Sequence, residues 1–228
     1  MLIQEGDKRT PATDLMLASI LAFVAGGVNS AGFLAYHYFS ANMTGNVSMA
    51  SDHFAVAQFD LALGFLAIVV MFIFGAFTAS VLIEVGRRQR RSNIYALTLI
   101  LEAALLIIVG IAVTLSPQPP NGVLIVGLLS FTMGIQNAAS TRISGSRVRT
   151  THVSGVATDL GVGLAMLLGI SSNPDKLATM LRLKLHLATI VFFALGGVLG
   201  VLGHQNFGDV SFCVFAMPLI ILSVRYLR

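Results

Sequence analysis

Six continuously apolar stretches dominate this chain: residues 15–35, 61–85, 94–115, 123–139, 185–203 and 210–227. Each falls within the roughly 17–25 residues that a helix uses to cross a bilayer. Hydrocarbon offers no hydrogen-bond partners, so every backbone N–H and C=O in such a run must pair within its own segment, as a helix allows. The runs lack strand-like alternation, which argues against a barrel. Six of them in 228 residues leave little room for anything else. Charged residues make up only 11%, against about 25% in ordinary soluble domains, and the mean hydropathy is +0.86. A soluble enzyme and a disordered segment are both excluded, and the expected fold class is an all-α polytopic membrane protein.

The basic residues test the number of crossings. With six spans and the N-terminus inside, all 14 lysines and arginines fall in the N-terminal tail, the second loop, the fourth loop or the C-terminus. Residues 36–60, 116–122 and 204–209 hold none. Such segregation is what the positive-inside rule expects of a chain with both termini cytoplasmic. Counting either 43–56 or 153–170 as a further full crossing would place later basic loops outside. A cleaved signal peptide is the alternative for the first run, because Lys8 and Arg9 precede it. The net charge of +4 therefore reports orientation, and no nucleic-acid partner is expected. Cys213 is the single cysteine, which rules out a disulfide framework and a cysteine-built metal centre.

The chain also repeats itself. FVAGGVNSAG from Phe23, then MTGNVSMAS from Met43, is matched by FTMGIQNAAS from Phe131, then VSGVATDLG from Val153. Asn29 aligns with Asn137, Thr44 with Ser154 and Gly45 with Gly155. Farther along, FIFGAFTAS from Phe72 parallels FALGGVLG from Phe193, aligning Gly75 with Gly196. Each half contains three spans and one short polar-tipped segment. Three is odd, so the second half must enter from the opposite side. The expectation is a 3+3 inverted repeat, one of the recurring plans of secondary transporters. Its parts are a cytoplasmic tail (1–14), a first repeat (15–115) with a re-entrant or broken segment at 43–56, an external loop (116–122), and a second repeat (123–228) with such a segment at 153–170. Duplication of a scaffold would produce the same symmetry. The small-residue pairs Gly75/Ala79 and Gly196/Gly200 are expected to pack the halves together.

GGVNSAGFLAYHYFSANMTGN, followed by GIQNAASTRISGSRVRTTHVSGVATDLG, resembles the YoaK family of bacterial inner-membrane proteins, which carry a domain of unknown function. The resemblance runs from about Leu15 to Leu227 and implies a small polytopic inner-membrane protein without a biochemical activity to carry over. Val156 stands where the first repeat has Asn46, so the halves differ chemically.

Asn29, Asn46 and Asn137 are candidate binding residues, because an orphaned carboxamide in hydrocarbon costs several kcal/mol; the alternative is interhelical bonding. Asp159, in the segment opening with His152, Ser154 and Gly155, is the leading single candidate, since an intramembrane carboxylate is expensive to keep without a function. Pairing with Arg147 or Arg149 at the cytoplasmic face is the competing account. His152 could exchange a proton near neutral pH. Glu102 sits mid-span with no evident partner. Thr44 and Ser154 are expected as helix caps, with Gly45 and Gly155 leaving backbone amides uncovered, so that two helix starts converge on one site for a polar or anionic solute.

No Walker A loop, G-x-S-x-G, H-E-x-x-H or cysteine pair occurs; an enzyme is not expected, nor any cofactor or metal site. The leading functional expectation is a small secondary transporter or permease of unknown solute, with its site between the repeats near the midplane. A non-catalytic membrane scaffold or assembly subunit is the alternative, and an intramembrane enzyme using Ser154 and His152 ranks below both. The partners expected are the lipid bilayer, the small solute and, compatibly, further copies of the chain. Both termini in the cytoplasm yields a direct test: with Gln89→Cys on a Cys213→Ala background, impermeant thiol reagents should fail to label intact cells and should label inverted vesicles. Labelling from outside would reverse the topology.

Overall fold

The structure, a computed structural model, describes residues 1–118, 121–168 and 175–227. Parts of the expected 116–122 loop (residues 119–120) and of the expected 153–170 segment (169–170), together with Arg228, lie outside the described residues. The chain forms α1 (Pro11–Tyr36), α2 (Met43–Ala55), α3 (Phe59–Arg88), α4 (Ile94–Leu115), α5 (Gly122–Ser144), α6 (Val153–Leu167), α7 (Lys176–Phe207) and α8 (Ser211–Val224). Single 3-10 turns occur at Gly6–Lys8 and Gly208–Val210, and there is no strand among the described residues. Helix starts follow local chemistry. Thr10 accepts from Thr13 N with a proline in the first turn of α1, and Asn121 and Asp175 cap α5 and α7 with their side chains.

The stretches 15–35, 61–85, 94–115, 123–139 and 185–203 each lie inside one helix, and 210–227 covers α8 and its flanks. Five stretches are long and apolar enough to cross a membrane: α1, α3, α4, α5, and the joined stretch Lys176–Val224. Within that last stretch the chain turns at Gly208, with φ 61° and ψ −146°, a backbone region essentially restricted to glycine. Beyond the turn α8 runs back along α4. Cys213 Sγ donates to Ile107 O at 3.8 Å near one end, and Asn93 Nδ2 donates to Leu227 O at 3.5 Å near the other.

α1 and α5 form the interior, and both are mostly buried. α7 crosses α1, α3 crosses α5, and α4 packs against α8. The outward faces of α3 and α7 expose Val70, Phe77, Leu195 and Val198, apolar surfaces suited to lipid.

The two crossings use the same device four times. A Cβ placed on Gly26 would run into the carbonyl of Phe193, and one on Gly196 into the carbonyl of Phe23. A Cβ on Gly75 would meet the Phe131 carbonyl, and one on Gly134 the Phe72 carbonyl. In each case the glycine Cα–H points at a carbonyl of the facing helix, a weak hydrogen bond of about 0.5–1 kcal/mol. Gly200 sits likewise on Gly27. The expected small-residue packing between halves is therefore present, and Gly26 and Gly134 supply its other side.

Both interior helices are followed by a connector that folds back into the bundle. Ala41 N donates to Asn29 Oδ1 at 2.9 Å, so the chain has returned seven residues, about 10 Å, down α1 from its end at Tyr36. Thr151 Oγ1 donates to Asn137 Oδ1 at 2.8 Å, the same seven residues before the end of α5 at Ser144. Met43, which opens α2, reaches Ser130 Oγ at 4.0 Å, and Ser130 Oγ also bonds Ile68 O at 3.1 Å.

Gly26→Ala and Gly134→Ala should each force their crossing apart and lower stability by about 1–3 kcal/mol. Gly161→Ala, where a Cβ meets nothing within 4 Å, should leave stability unchanged or raise it by roughly 0.5–1 kcal/mol. Thermal midpoints in detergent compare the three.

Candidate functional site

Contacts at one end of the bundle gather the N-terminal tail, the 84–93 region, the end of α5 and the C-terminus. Glu5 lies 3.6 Å from Arg87, Arg142 donates to Glu84 at 2.9 Å, and the Met1 amine donates to Tyr226 Oη at 2.8 Å. Asp14 is the buried centre of this end. Its carboxylate accepts from Arg9 Nε at 2.5 Å and from Arg147 Nε at 2.9 Å. The Arg9 side chain is fully buried and also donates to the Gln4 and Thr13 carbonyls. Arg147 reaches Asp7 at 3.2 Å and the Gly6 carbonyl. Arg147 is thus committed to Asp14 and Asp7, and neither it nor Arg149, the two partners of the competing account, pairs with Asp159 among the described residues. Asp159 instead stands 4.0 Å from His186 Nε2.

Beside this clamp lies a cavity of about 440 Å³, bounded by the 146–149 turn, the start of α6 and the first half of α7. Arg147, Arg149, His152, Gly155, Asp159, Arg182 and His186 supply its polar wall, and Val162, Met166 and Leu183 its apolar wall. Arg149 and Arg182 form no ion pair among the described residues. Arg182 and His186 share a face of α7 because they are four residues apart.

Among the sequence candidates, His152, Gly155 and Asp159 line this one cavity, and Ser154 does not. Asn137 stands one bond away, holding Thr151. Asn29 binds Ala41 N, and Asn46, fully buried, both accepts from Phe39 N at 3.3 Å and donates to Phe39 O at 2.7 Å. The asparagines therefore hold the returning connectors. Thr44 and Ser154 are not the caps; the cap positions lie two residues earlier, at Asn42 and His152. Asn42 caps α2 by accepting from Gly45 N at 3.0 Å, and His152, at the same place before α6, makes no side-chain cap bond. Gly45 is covered by Asn42 and Phe39, whereas a Cβ on Gly155 would meet nothing within 4 Å.

The two elements also do not converge. α2 packs along α3 and α6 along α7, and among the described residues neither α2 with α6 nor α3 with α7 makes contact. Because α3 lies on α5 and α7 on α1, each carries its short helix to a separate place. At the position matching His186 the first half has Phe65, whose ring centroid lies 4.6 Å from that of Tyr38 and 5.6 Å from that of His53. Aromatic rings fill there what is open in the second half.

Glu102 is fully buried with no partner for either oxygen among the described residues. Sequence reasoning missed Asp14, Gln136, Arg182 and His186. Gln136, fully buried, donates to Leu21 O at 3.0 Å and Thr150 Oγ1 at 3.1 Å. The i, i+4 spacing of Arg182 and His186 was the available signal.

These features define a helical transmembrane protein with an arginine-lined cavity beside a short helix that packs on α7. A family model described as protein of unknown function (DUF1275) matches residues 17–225, and the chain belongs to that family. It is 25% identical over 193 residues, 84% of either chain, to the UPF0700 transmembrane protein YoaK of Bacillus subtilis. No solved structure matches it.

Removing the Asp14 carboxylate strands a buried guanidinium. Asp14→Asn should therefore destabilise by about 3–5 kcal/mol. Arg147→Gln, at a partly exposed side chain, should cost less. Detergent thermal midpoints give the order.

Proposed function

We propose that this chain is a small, non-enzymatic secondary carrier of a polar or anionic solute in the bacterial inner membrane. In this reading six helices cross, α1, α3, α4, α5, α7 and α8, as a 3+3 inverted repeat with both termini cytoplasmic. The observation that carries it is the pair of matched connectors, each folded back seven residues beside its interior helix and each leading into a short helix that packs on a single neighbour, α2 on α3 and α6 on α7. Short or interrupted segments at matching positions of two repeats are where repeat-built carriers place solute and ion sites. The reciprocal glycine crossings supply the symmetry. The nearness of the N-terminal tail to the C-terminus supports an even number of crossings.

The solute site in this reading is the second-half cavity rather than a site shared by α2 and α6. Glu102 is the candidate for proton exchange. It lies one turn along α4 from Leu99, which borders the same small gap as Ala139 and Ser140 of α5. Gln136 lies one turn along α5 from those residues, and its Oε1 is buried without a partner among the described residues. Gln136 Nε2 donates to Thr150 Oγ1 in the connector that ends at the cavity.

One observation favours a second reading, a membrane scaffold or assembly subunit: Asn29, Asn46 and Asn137 all find partners in their own connectors. Proteoliposome uptake of polar and anionic solutes under an imposed proton gradient separates the two. Asp159→Asn and Glu102→Gln, which keep shape while removing a titratable group, should abolish gradient-driven uptake and leave the protein folded in the membrane. Loss of folded protein without any selective uptake defect would assign both residues to structure.

A further inference from the structure

We infer that the cavity between the 146–149 turn, α6 and α7 binds a phosphate group carried on a partly apolar molecule. The inference rests on the reading of this cavity as the carrier's solute site, and it names the ligand class. Its first support is charge. Arg149 and Arg182 enter from different elements, and neither is neutralised by an ion pair among the described residues. Guanidinium groups offer paired N–H donors that match phosphate oxygens.

A second support comes from the start of α6. Its first-turn amides lack a side-chain cap, and Gly155, which lines the cavity, leaves its Cα face open. The matching helix α2 has both defects repaired, by Asn42 as cap and by the packing of Asn42 and Phe39 on Gly45. An uncapped helix start facing a cavity with free arginines favours an anion.

Shape supplies the remainder. The volume of about 440 Å³ far exceeds one phosphate, and beyond the basic wall the lining turns apolar at Val162, Met166 and Leu183. Asp159, in the same cavity, faces His186 at 4.0 Å. It lies one turn into α6 from Gly155 on the same face, so a phosphate at the helix start is held there by Arg149 and Arg182 against this carboxylate. The phosphate can belong to a phospholipid headgroup or to a soluble phosphomonoester, since both offer the same oxygens.

Titration calorimetry on the purified full chain in detergent tests this with three probes: inorganic phosphate, glycerol phosphate and short-chain phosphatidic acid. Saturable binding by any of them, absent with chloride, is expected. Binding by phosphatidic acid alone would identify a lipid, and binding by glycerol phosphate at equal or higher affinity a soluble solute. Arg149→Gln and Arg182→Gln should each weaken binding roughly tenfold or more, the loss of a hydrogen bond to a charged group. His152→Asp supplies the missing cap. It should raise the thermal midpoint while abolishing binding, a combination that misfolding cannot produce. No binding by any probe, or unchanged affinity in both arginine variants and in His152→Asp, overturns the inference. Binding without proteoliposome flux sinks the carrier reading alone, and flux without phosphate binding sinks the ligand assignment alone.

Discussion

Backbone-to-backbone approach at glycine is the interaction on which this architecture depends. Inside a bilayer lipid tails are as apolar as leucine, so burying side chains gives helices no hydrophobic reason to associate. What remains is close packing and weak polar contact. Gly26 and Gly196 on the α1–α7 crossing, and Gly134 and Gly75 on the α5–α3 crossing, provide both by seating each Cα against a facing carbonyl. The interior pair α1 and α5 is thereby clamped from two sides, and the connectors that follow them have a fixed wall to fold back against.

On that common frame the halves diverge. In the first, Asn46 bonds both polar groups of Phe39, Asn42 caps α2, and Tyr38, Phe65 and His53 stack in the space beside it. In the second, Val156 replaces Asn46, His152 stands at the cap position without capping, and His186 replaces Phe65. Each exchange removes a filling or satisfying group. Their sum is the cavity next to the Arg9–Asp14–Arg147 clamp. That clamp orients Arg147 and holds the 146–149 turn, so part of the cavity wall is set by a buried ion network on the neighbouring helix.

Several site residues were legible in sequence because their chemistry is costly in hydrocarbon. His152, Gly155 and Asp159 announced themselves as a polar cluster in an apolar run, and they share one cavity. The asparagines were equally visible, but their partners were not. Ala41 N and Thr151 Oγ1 reach Asn29 and Asn137 only after the connector has folded back. Thr44 and Ser154 are good capping residue types, yet Asn42 wins the position at α2 because its side chain reaches Gly45 N. Arg182 looked like a residue of a basic loop and His186 like the start of a span until α7 proved to start at Lys176 and carry both on one helix.

The amino-acid sequence by itself determined the solvent, the helical class, the position of nearly every span and the pairing of Asn29 with Asn137 and of Gly75 with Gly196 as repeated elements. Those properties follow from local composition, from the need of each backbone group for a partner within its own segment, and from self-similarity along the chain. Only the tertiary structure decided that α2 and α6 stay apart, that Arg147 belongs to Asp14 rather than Asp159, and that one half is filled while the other is open. Each of these is a competition among groups distant in sequence, settled by which helix lies against which. Nothing in the local pattern records that α3 rests on α5 and α7 on α1.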